Sequence, residues 1–286
     1  MAFAIHHAEL KTIMRDAGGV FDLVRDGKRI FDSSGNFPRG KLWSTYRRLR
    51  RLSRSRVPGK TKVLDYTVSY PSSNNLLFLF RQLFIERLYT LASSTASPLV
   101  VDCGSNIGMS ILACKTAYPD CRIIGFEPHP VLYGFLERNV AENGLTNTQL
   151  HRKAVSNASG SLEFFLNDNE PGSLNMSLIA RENVASSISV EVEKLSQHIV
   201  EPVDMLKLDI EGAETAVIED LHTAGKLRLV NKIVCEYHHH IEKGVDKLSH
   251  ILGMFESNGF GYQLSAYTSR KNLSSYQDVM VYAYRK

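Results

Sequence analysis

The feature that most constrains the fold is a strand, a glycine turn and a helix that follow one another directly. Residues 99–102 form an apolar run typical of a buried strand, and apolar positions recur at helical spacing across residues 106–118. Gly104 and Gly108 lie at the junction, where a tight turn and close packing at the helix start both favour residues without a side chain. This succession predicts a crevice that binds a nucleotide at the end of a parallel sheet.

Short β-rich runs alternate with helical stretches from residue 98 onward, as in a parallel sheet covered by helices. Residues 262–267 and 279–284 alternate apolar and polar positions and are expected to pair antiparallel. The predicted fold class is therefore α/β, a Rossmann-like sheet that is mostly parallel with a terminal antiparallel strand. The other predicted strands are 122–126, 148–155, 203–208 and 233–235, and the other predicted helices are 130–143, 214–221 and 247–256.

The residues before position 96 do not show this alternation of strands and helices. We interpret residues 1–95 as an N-terminal accessory region that contributes a helical extension, and residues 96–286 as the ligand-binding domain. Within the accessory region, residues 10–23 and 74–91 have helical patterns and residues 63–68 resemble a strand.

A basic arm at residues 39–62 contains ten Lys or Arg residues and no Asp or Glu, although the whole chain has a formal charge of only +4. Such a cluster can bind phosphates or lipid headgroups, or it can simply be hydrated. We interpret it as a solvated, partly mobile arm, and we do not expect a nucleic-acid partner.

The sequence contains no apolar run of about 20 residues, the length that crosses a bilayer, and its N-terminus lacks the order of a signal peptide. We therefore expect a cytoplasmic protein without a transmembrane segment. The four cysteines have no metal-ligand spacing and are interpreted as reduced and structural. A homo-oligomer formed through the N-terminal region is left open.

Two residues indicate which nucleotide the glycine turn accepts. Glu127 follows the next predicted strand, where an acidic side chain can accept hydrogen bonds from ribose hydroxyls. Asn106 occupies the position at which a pyrophosphate-binding turn has its second glycine. The combination favours a nucleoside ligand over a dinucleotide.

At this point the sequence resembles class I S-adenosylmethionine-dependent methyltransferases, and within them the FkbM group. Residues 102–108 are similar to the group's D-x-G-x-N-x-G, residues 126–128 to its F-E-P, and residues 206–214 to its K-x-D-x-E-G-x-E. The resemblance covers about residues 75–240 and implies S-adenosylmethionine as the cofactor. The combination of motifs is specific, although each motif alone is not.

The resemblance also implies where the cofactor would bind. Asp102 and Gly104 would lie near its methionine moiety, Glu127 would hold the ribose, and residues 153–155 would lie near the adenine. The full set of predicted cofactor-binding residues is Asp102, Gly104, Asn106, Gly108, Glu127, Ala154 and Asp209.

Candidate catalytic residues follow the later strands, because the carboxyl ends of parallel strands face the ligand crevice. A histidine with an ordinary pKa near neutrality is suited to removing a hydroxyl proton, so His238 is the predicted general base. Asp209 or Glu236 would orient it, and His239 and His240 are weaker alternatives.

The two carboxylates Asp209 and Glu211 could instead hold Mg²⁺, which prefers oxygen ligands, or cap the helix that follows. Because capping explains them equally well, we do not predict a metal site.

The main functional hypothesis, which the resemblance implies, is O-methylation of a hydroxyl on a sugar, a glycan or another small-molecule natural product. The polar loop at residues 167–177 is a candidate acceptor contact or lid. The alternatives are an RNA ribose methyltransferase that uses the basic arm, a nicotinamide-dependent oxidoreductase, and a non-catalytic nucleotide-binding module. A base-amino methyltransferase is disfavoured, because the chain has no [DNS]-P-P-[YFW] motif.

Overall fold

The structure is a computed structural model that describes residues 37–55, 57–166, 186–241, 245–266 and 277–286. The helical stretch predicted at residues 10–23 and the polar loop predicted at 167–177 lie outside these ranges. Among the described residues, no helix has both the length and the apolar composition that crossing a bilayer requires.

A seven-stranded sheet forms the centre of the fold. Its strands are β3 (Leu99–Cys103), β4 (Arg122–Phe126), β5 (Thr148–His151), β9 (Met205–Leu208), β10 (Lys232–His239), β11 (Phe260–Ala266) and β12 (Gln277–Arg285). The order across the sheet is β11-β12-β10-β9-β3-β4-β5, with the last five parallel and β12 antiparallel to both of its neighbours. The predicted α/β fold class and its terminal antiparallel pairing are confirmed.

The chain runs from β3 outward to β5 and then returns to β9 on the other side of β3. At such a reversal, the loops after the two neighbouring strands diverge and leave a crevice at their carboxyl ends. All five residues of β3 are buried, as the apolar run predicted. The crevice therefore has a rigid floor.

Helices cover both faces of the sheet and bury two apolar clusters against it. The helices after the glycine turn are α3 (Met109–Ala117), α4 (Pro130–Glu142), α5 (Glu214–Thr223) and α6 (Leu248–Ser257). The helix predicted from residue 106 begins at Met109, because Asn106 and Gly108 have φ angles of 51° and 88° and form the turn itself.

The strand predicted at residues 148–155 is in fact two strands in different sheets. The chain leaves the main sheet after β5, at the exposed Arg152, and re-pairs as β6 (Ala154–Ser156) beside β8 (Ser186–Lys194). With β7 (Gly160–Leu166), these strands form a three-stranded sheet in the order β6-β8-β7.

The basic segment is not a solvated arm, which corrects the prediction. Most of it forms helix α1 (Arg39–Leu52), which buries Leu42, Tyr46 and Leu49 on one face. The basic side chains occupy the other positions, so the segment is an amphipathic helix packed on the core. Hydrophobic burial thus outweighs the mutual repulsion of its charges.

The remaining N-terminal elements also differ from prediction in detail. The strand predicted at 63–68 is a hairpin of β1 (Gly59–Val63) and β2 (Tyr66–Tyr70), which turns at Leu64, whose φ is 51°. The helix predicted at 74–91 consists of α2 (Ser73–Phe80) and a π-helical turn (Arg81–Glu86) that ends at Arg87 in a left-handed conformation.

The described part of the predicted accessory region shares a core with the sheet domain. Leu42, Tyr46 and Phe80 belong to the same buried cluster as Val100 and Leu112. The division of the chain at residue 96 stays a prediction.

Candidate active site

The crevice at the carboxyl ends of the central strands contains a cavity of about 400 Å³. It brings together side chains from the glycine turn, from the ends of β4, β9 and β10, and from α2 and the π-helical turn. Seven of the predicted site residues line this cavity: Gly104, Asn106, Glu127, Ala154, Asp209, Glu236 and His238. Asp102 and Gly108 lie behind this lining.

The glycine turn requires glycine at position 104 for two reasons. Its φ is 82°, and a Cβ atom there would lie 1.9 Å from the main-chain oxygen of Asp209. A Cβ at Gly108 would lie 2.9 Å from the Leu136 side chain, so this glycine permits α4 to pack against the turn. The loops after β3 and β9 can therefore approach each other closely at the cavity floor.

Glu127 is fixed beside this turn. Its Oε2 accepts a hydrogen bond of 2.9 Å from the Asn106 N–H, and its Oε1 accepts one of 2.9 Å from the His129 N–H. Burial raises the pKa of Glu127 to about 7, although these two backbone donors oppose the shift. The carboxyl lines the cavity and is preorganised to accept hydrogen bonds from ligand hydroxyls.

Asp102 acts on the cavity indirectly. It is 2% exposed, accepts a hydrogen bond of 2.5 Å from Ser110 Oγ, and lies 3.2 Å from Lys207 Nζ. Lys207 also donates to the main-chain oxygen of Gly104 at 2.8 Å. The Lys207 ammonium thus lies at the cavity surface, and Asp102, for which the resemblance implied a place near the methionine moiety, lies behind it.

Sequence reasoning overlooked Lys207 as a site residue. Burial lowers its pKa, but the charges of Asp102 and Asp209 outweigh burial and raise the pKa above its ordinary range. Lys207 therefore remains an ammonium ion. A lysine inside an otherwise apolar strand was the available signal, because buried lysines are rare unless they are paired.

One side of the cavity comes from the three-stranded sheet. Ala154 and Val155 of β6 and Phe164 of β7 line it together with Lys153. These include the residues for which the resemblance implied an adenine contact. The site is mostly apolar on this side, as a flat aromatic base requires.

Another wall comes from α2 and the π-helical turn, which sequence reasoning had assigned to the accessory region. Phe78, Leu79 and Leu83 provide apolar surface, and Phe78 is 47% exposed. The amides that complete this wall are Asn74, Asn75 and Gln82.

Two carboxylates converge on a tyrosine that sequence reasoning did not single out. The Tyr89 hydroxyl lies 2.7 Å from Glu236 Oε2 and 3.2 Å from Asp209 Oδ2. It can donate its single proton to only one of them at a time. Burial and the nearby charge of Asp209 raise the pKa of Glu236 to about 7.

His238 was predicted to be the general base because a histidine ordinarily has a pKa near neutrality, and that assumption is wrong for this residue. The ring is 3% exposed, its Nδ1 lies 2.8 Å from Glu214 Oε1, and its Nε2 lies 3.5 Å from Glu211 Oε2. Burial lowers its pKa, but Glu214 and then Glu211 and Asp209 outweigh burial and raise it to about 10. At neutral pH the ring is an imidazolium, which has no lone pair to accept a proton.

The weaker histidine alternatives lie elsewhere. His239 and His240 contact Asp246 at 3.7 Å and 3.1 Å, and neither lines the cavity.

Helix capping does not explain Asp209 and Glu211, because the residue at the N-cap of α5 is Ala213, with no side-chain hydrogen bond. Glu214, the first residue of α5, stabilises the preceding turn, since its Oε1 accepts from the N–H groups of Ile210 at 3.3 Å and Gly212 at 3.0 Å. Glu211 has a φ of 55°, so the turn holds it in a left-handed conformation beside the cavity.

Two groups of side chains in the cavity have the spacing of metal ligands. Asp209, Glu211 and His238 form one, and Glu236, His238 and Asp278 form the other, with ligand atoms within 4.8 Å of one another in each. Both include the protonated His238, which would have to lose its proton before coordinating. These donor sets fit Mg²⁺ poorly, because Mg²⁺ prefers an all-oxygen shell with several waters.

Curated relatives of the chain are methyltransferases. Methyltransferase sdnD of Sordaria araneosa is 29% identical over 193 residues, which cover 56% of this chain and 73% of that protein. The 31-O-demethyl-FK506 methyltransferase FkbM of Streptomyces tacrolimicus is 25% identical over 228 residues, which cover 68% and 85% of the two chains.

Similar solved structures include methyltransferase FkbM from Methylobacillus flagellatus KT, with a TM-score of 0.44 and 15% identity. That match covers 86% of this chain and 60% of the other. M. jannaschii TYW2 in complex with AdoMet matches with a TM-score of 0.44 and 14% identity, over 81% of this chain and 88% of the other.

The model of the methyltransferase FkbM domain matches residues 102–262, which is more than half of the chain. That span contains the whole glycine turn and includes Glu127, Lys207, Asp209 and Glu236. The chain that builds this cavity belongs to the FkbM family of methyltransferases.

Proposed function

We propose that the protein is an S-adenosylmethionine-dependent O-methyltransferase whose acceptor is an uncharged hydroxyl compound. The observation that carries the proposal is the carboxyl of Glu236, whose pKa is raised to about 7 in the same cavity as the glycine turn and Glu127. A base with a pKa near the working pH is suited to removing a hydroxyl proton. The relative named as a 31-O-demethyl-FK506 methyltransferase supports transfer to oxygen.

The residues of the cavity fit the cofactor. In the proposed arrangement, Glu127 accepts hydrogen bonds from the ribose hydroxyls and Ala154 contacts the adenine. Gly104 allows the methionine moiety to approach the backbone, and the nearby Lys207 ammonium attracts its carboxylate. When bound, the cofactor supplies an electrophilic methyl group on a positively charged sulfur.

Glu236 replaces His238 as the proposed base. Glu236 would accept the proton of the acceptor hydroxyl, whose oxygen would take the methyl group that the bound cofactor supplies. Tyr89 and Asp209 position the Glu236 carboxylate. The imidazolium of His238 limits the rise in the pKa of Glu236, because its positive charge favours the carboxylate form.

The charges of the cavity favour one class of acceptor. Besides Glu127, its described lining includes four acidic residues, against three basic ones, Lys153, Lys207 and His238. Each of these three cations already lies beside a further carboxylate, that of Glu193, Asp102 or Glu214 respectively. A phosphorylated or carboxylated acceptor would therefore meet no excess of positive charge, and a neutral alcohol needs none. A sugar, a glycan or another uncharged natural product fits this environment. The four acidic residues are Asp209, Glu211, Glu236 and Asp278.

The same charges disfavour RNA ribose as the acceptor. The basic residues of α1 do not contribute to the described lining of the cavity, and α1 packs into the core through its apolar face. An RNA substrate would have to bring phosphates close to the carboxylates at the cavity floor.

The proposal is tested by calorimetry and by methyl transfer. Glu127→Ala should weaken S-adenosylmethionine binding by about 1–3 kcal/mol, because the ribose hydroxyls lose their acceptor. Glu137→Ala, a change at an exposed position of α4, should leave binding unchanged. In the methyl-transfer assay, labelled methyl groups should reach uncharged alcohols but not RNA. Labelling of RNA alone would refute the proposed class of acceptor. Unaltered S-adenosylmethionine binding by Glu127→Ala would refute the proposed arrangement of the cofactor.

A further inference from the structure

A second group of ring nitrogens and carboxylate oxygens lies outside the candidate active site, where the three-stranded sheet meets the seven-stranded sheet. It consists of His151 at the end of β5, Glu193 in β8, and His198 directly after the 3₁₀ turn Leu195–Gln197. One ligand atom from each residue lies within 4.8 Å of the other two. None of the three belongs to the lining of the active-site cavity.

The three side chains are arranged around a common point. His198 Nε2 lies 2.8 Å from Glu193 Oε2, and the two imidazole rings meet edge to face with their centroids 4.7 Å apart. The Phe126 ring contacts both imidazoles, with centroid distances of 4.8 Å and 4.9 Å, and limits their rotation. The positions of the rings are thus fixed by packing.

His151 Nε2 is buried and has no hydrogen-bond partner among the described residues. A buried polar atom without a partner is unfavourable by about 1–3 kcal/mol, and native proteins usually supply such an atom with water or an ion. An imidazole nitrogen that carries no proton has a lone pair and can bind a metal ion.

We propose that His151, Glu193 and His198 form a Zn²⁺ site that joins the two sheets. Two imidazole nitrogens and one carboxylate oxygen are a ligand set of zinc in proteins, with water as the fourth ligand. On binding, His198 would carry its proton on Nδ1, so that Nε2 presents its lone pair to the ion in place of the hydrogen bond with Glu193. Glu193 already contacts the partly exposed Lys153 through its other oxygen, so its Oε2 remains directed at the ion.

Calorimetry with ZnCl₂ on the full chain, after removal of metals with EDTA, tests this proposal. We expect one ion bound per chain and an increase in Tm. His151→Ala and His198→Ala should each weaken binding by at least about tenfold, because each removes a ligand. His240→Ala is the matched control, since it alters the other histidine-rich group, formed by His239, His240 and Asp246, and should leave binding unchanged.

The absence of binding in the native protein, or equal binding by His198→Ala, would overturn the proposal. A second measurement uses the native protein and therefore does not require that the variants fold. Absorption spectra of the Co²⁺-substituted native protein should have the bands of nitrogen and oxygen ligands, whereas a thiolate charge-transfer band would assign the metal to cysteine instead. Because neither measurement uses a methyl donor, both are independent of the proposed function.

Discussion

The Tyr89 hydroxyl donates a hydrogen bond of 2.7 Å to Glu236 Oε2 from a segment that lies 147 residues earlier in the chain. This contact links the N-terminal elements to β10. It also keeps the carboxylate of Glu236 in place at the cavity, where its pKa is raised to about 7.

Replacement of Glu236 by Gln should reduce turnover about 10²- to 10⁴-fold, because the amide cannot accept the hydroxyl proton. The affinity for S-adenosylmethionine should not change. In the native enzyme, kcat should rise as pH passes through about 7, because the base must be ionised to accept a proton. The apparent pKa of this rise belongs to the interacting pair Asp209 and Glu236. Steady-state kinetics across this pH range measure both effects, with Glu137→Gln as the control, and a fully active Glu236→Gln enzyme would assign the base elsewhere.

His238 should make stability depend on pH in the alkaline range. Its folded pKa is raised to about 10, so its contribution is complete below its ordinary pKa of about 6.5 and is lost as pH rises from there to about 10. Urea unfolding at several pH values should show this loss in the native protein and a flatter profile for His238→Gln. An NMR titration in which His238 loses its proton near its ordinary pKa would contradict the structure.

Lys207→Met should destabilise the fold by about 3–5 kcal/mol, because the buried carboxylate of Asp102 would lose its ionic partner. The double variant Lys207→Met with Asp102→Asn should be more stable than Lys207→Met alone, since it removes the uncompensated charge. Denaturant unfolding measures both free energies, with Lys194→Met, at an exposed position, as the control. Additive losses in the double variant would argue against the pair.

Gly104→Ala should abolish cofactor binding and destabilise the fold. Gly144→Ala provides a matched comparison, because Gly144 also has a positive φ, of 59°, but a Cβ atom there would have no described atom within 4 Å beyond its chain neighbours. Gly144→Ala should therefore be unfavourable by only about 1–2 kcal/mol, the strain of a left-handed residue. Similar losses in the two variants, measured by thermal unfolding, would mean that close approach to Asp209 is unimportant.

Local patterns were sufficient to predict several residues that line the cavity. The glycine turn, Glu127, Asp209 after β9 and Glu236 in β10 were all recognised from residues close to them in sequence. The mostly parallel sheet was predicted from the alternation of elements. Many of the residues that these side chains contact lie far away in sequence, and local patterns do not reveal them.

The chemistry of His238 could not be predicted because its pKa depends on Glu214, which lies 24 residues earlier and approaches only after α5 packs beside β10. The roles of Tyr89 and α2 were missed for a similar reason, since an apolar helix has the same pattern whether it covers a core or a cavity. The segment that forms α1 was interpreted from its charge alone, and the helical spacing of Leu42, Tyr46 and Leu49, which are buried, was not considered.

The wall formed by α2 and the π-helical turn has a consequence for engineering. Residues 74–89 contribute one wall of the cavity, whereas the glycine turn, Glu127 and β6 belong to a later part of the chain. A chimera that exchanges only this short segment between two relatives, with the buried positions such as Leu76 and Phe80 retained, would alter the cavity without changing the residues proposed to contact a nucleoside. Substrate range and cofactor use could thus be varied independently in a recombined library.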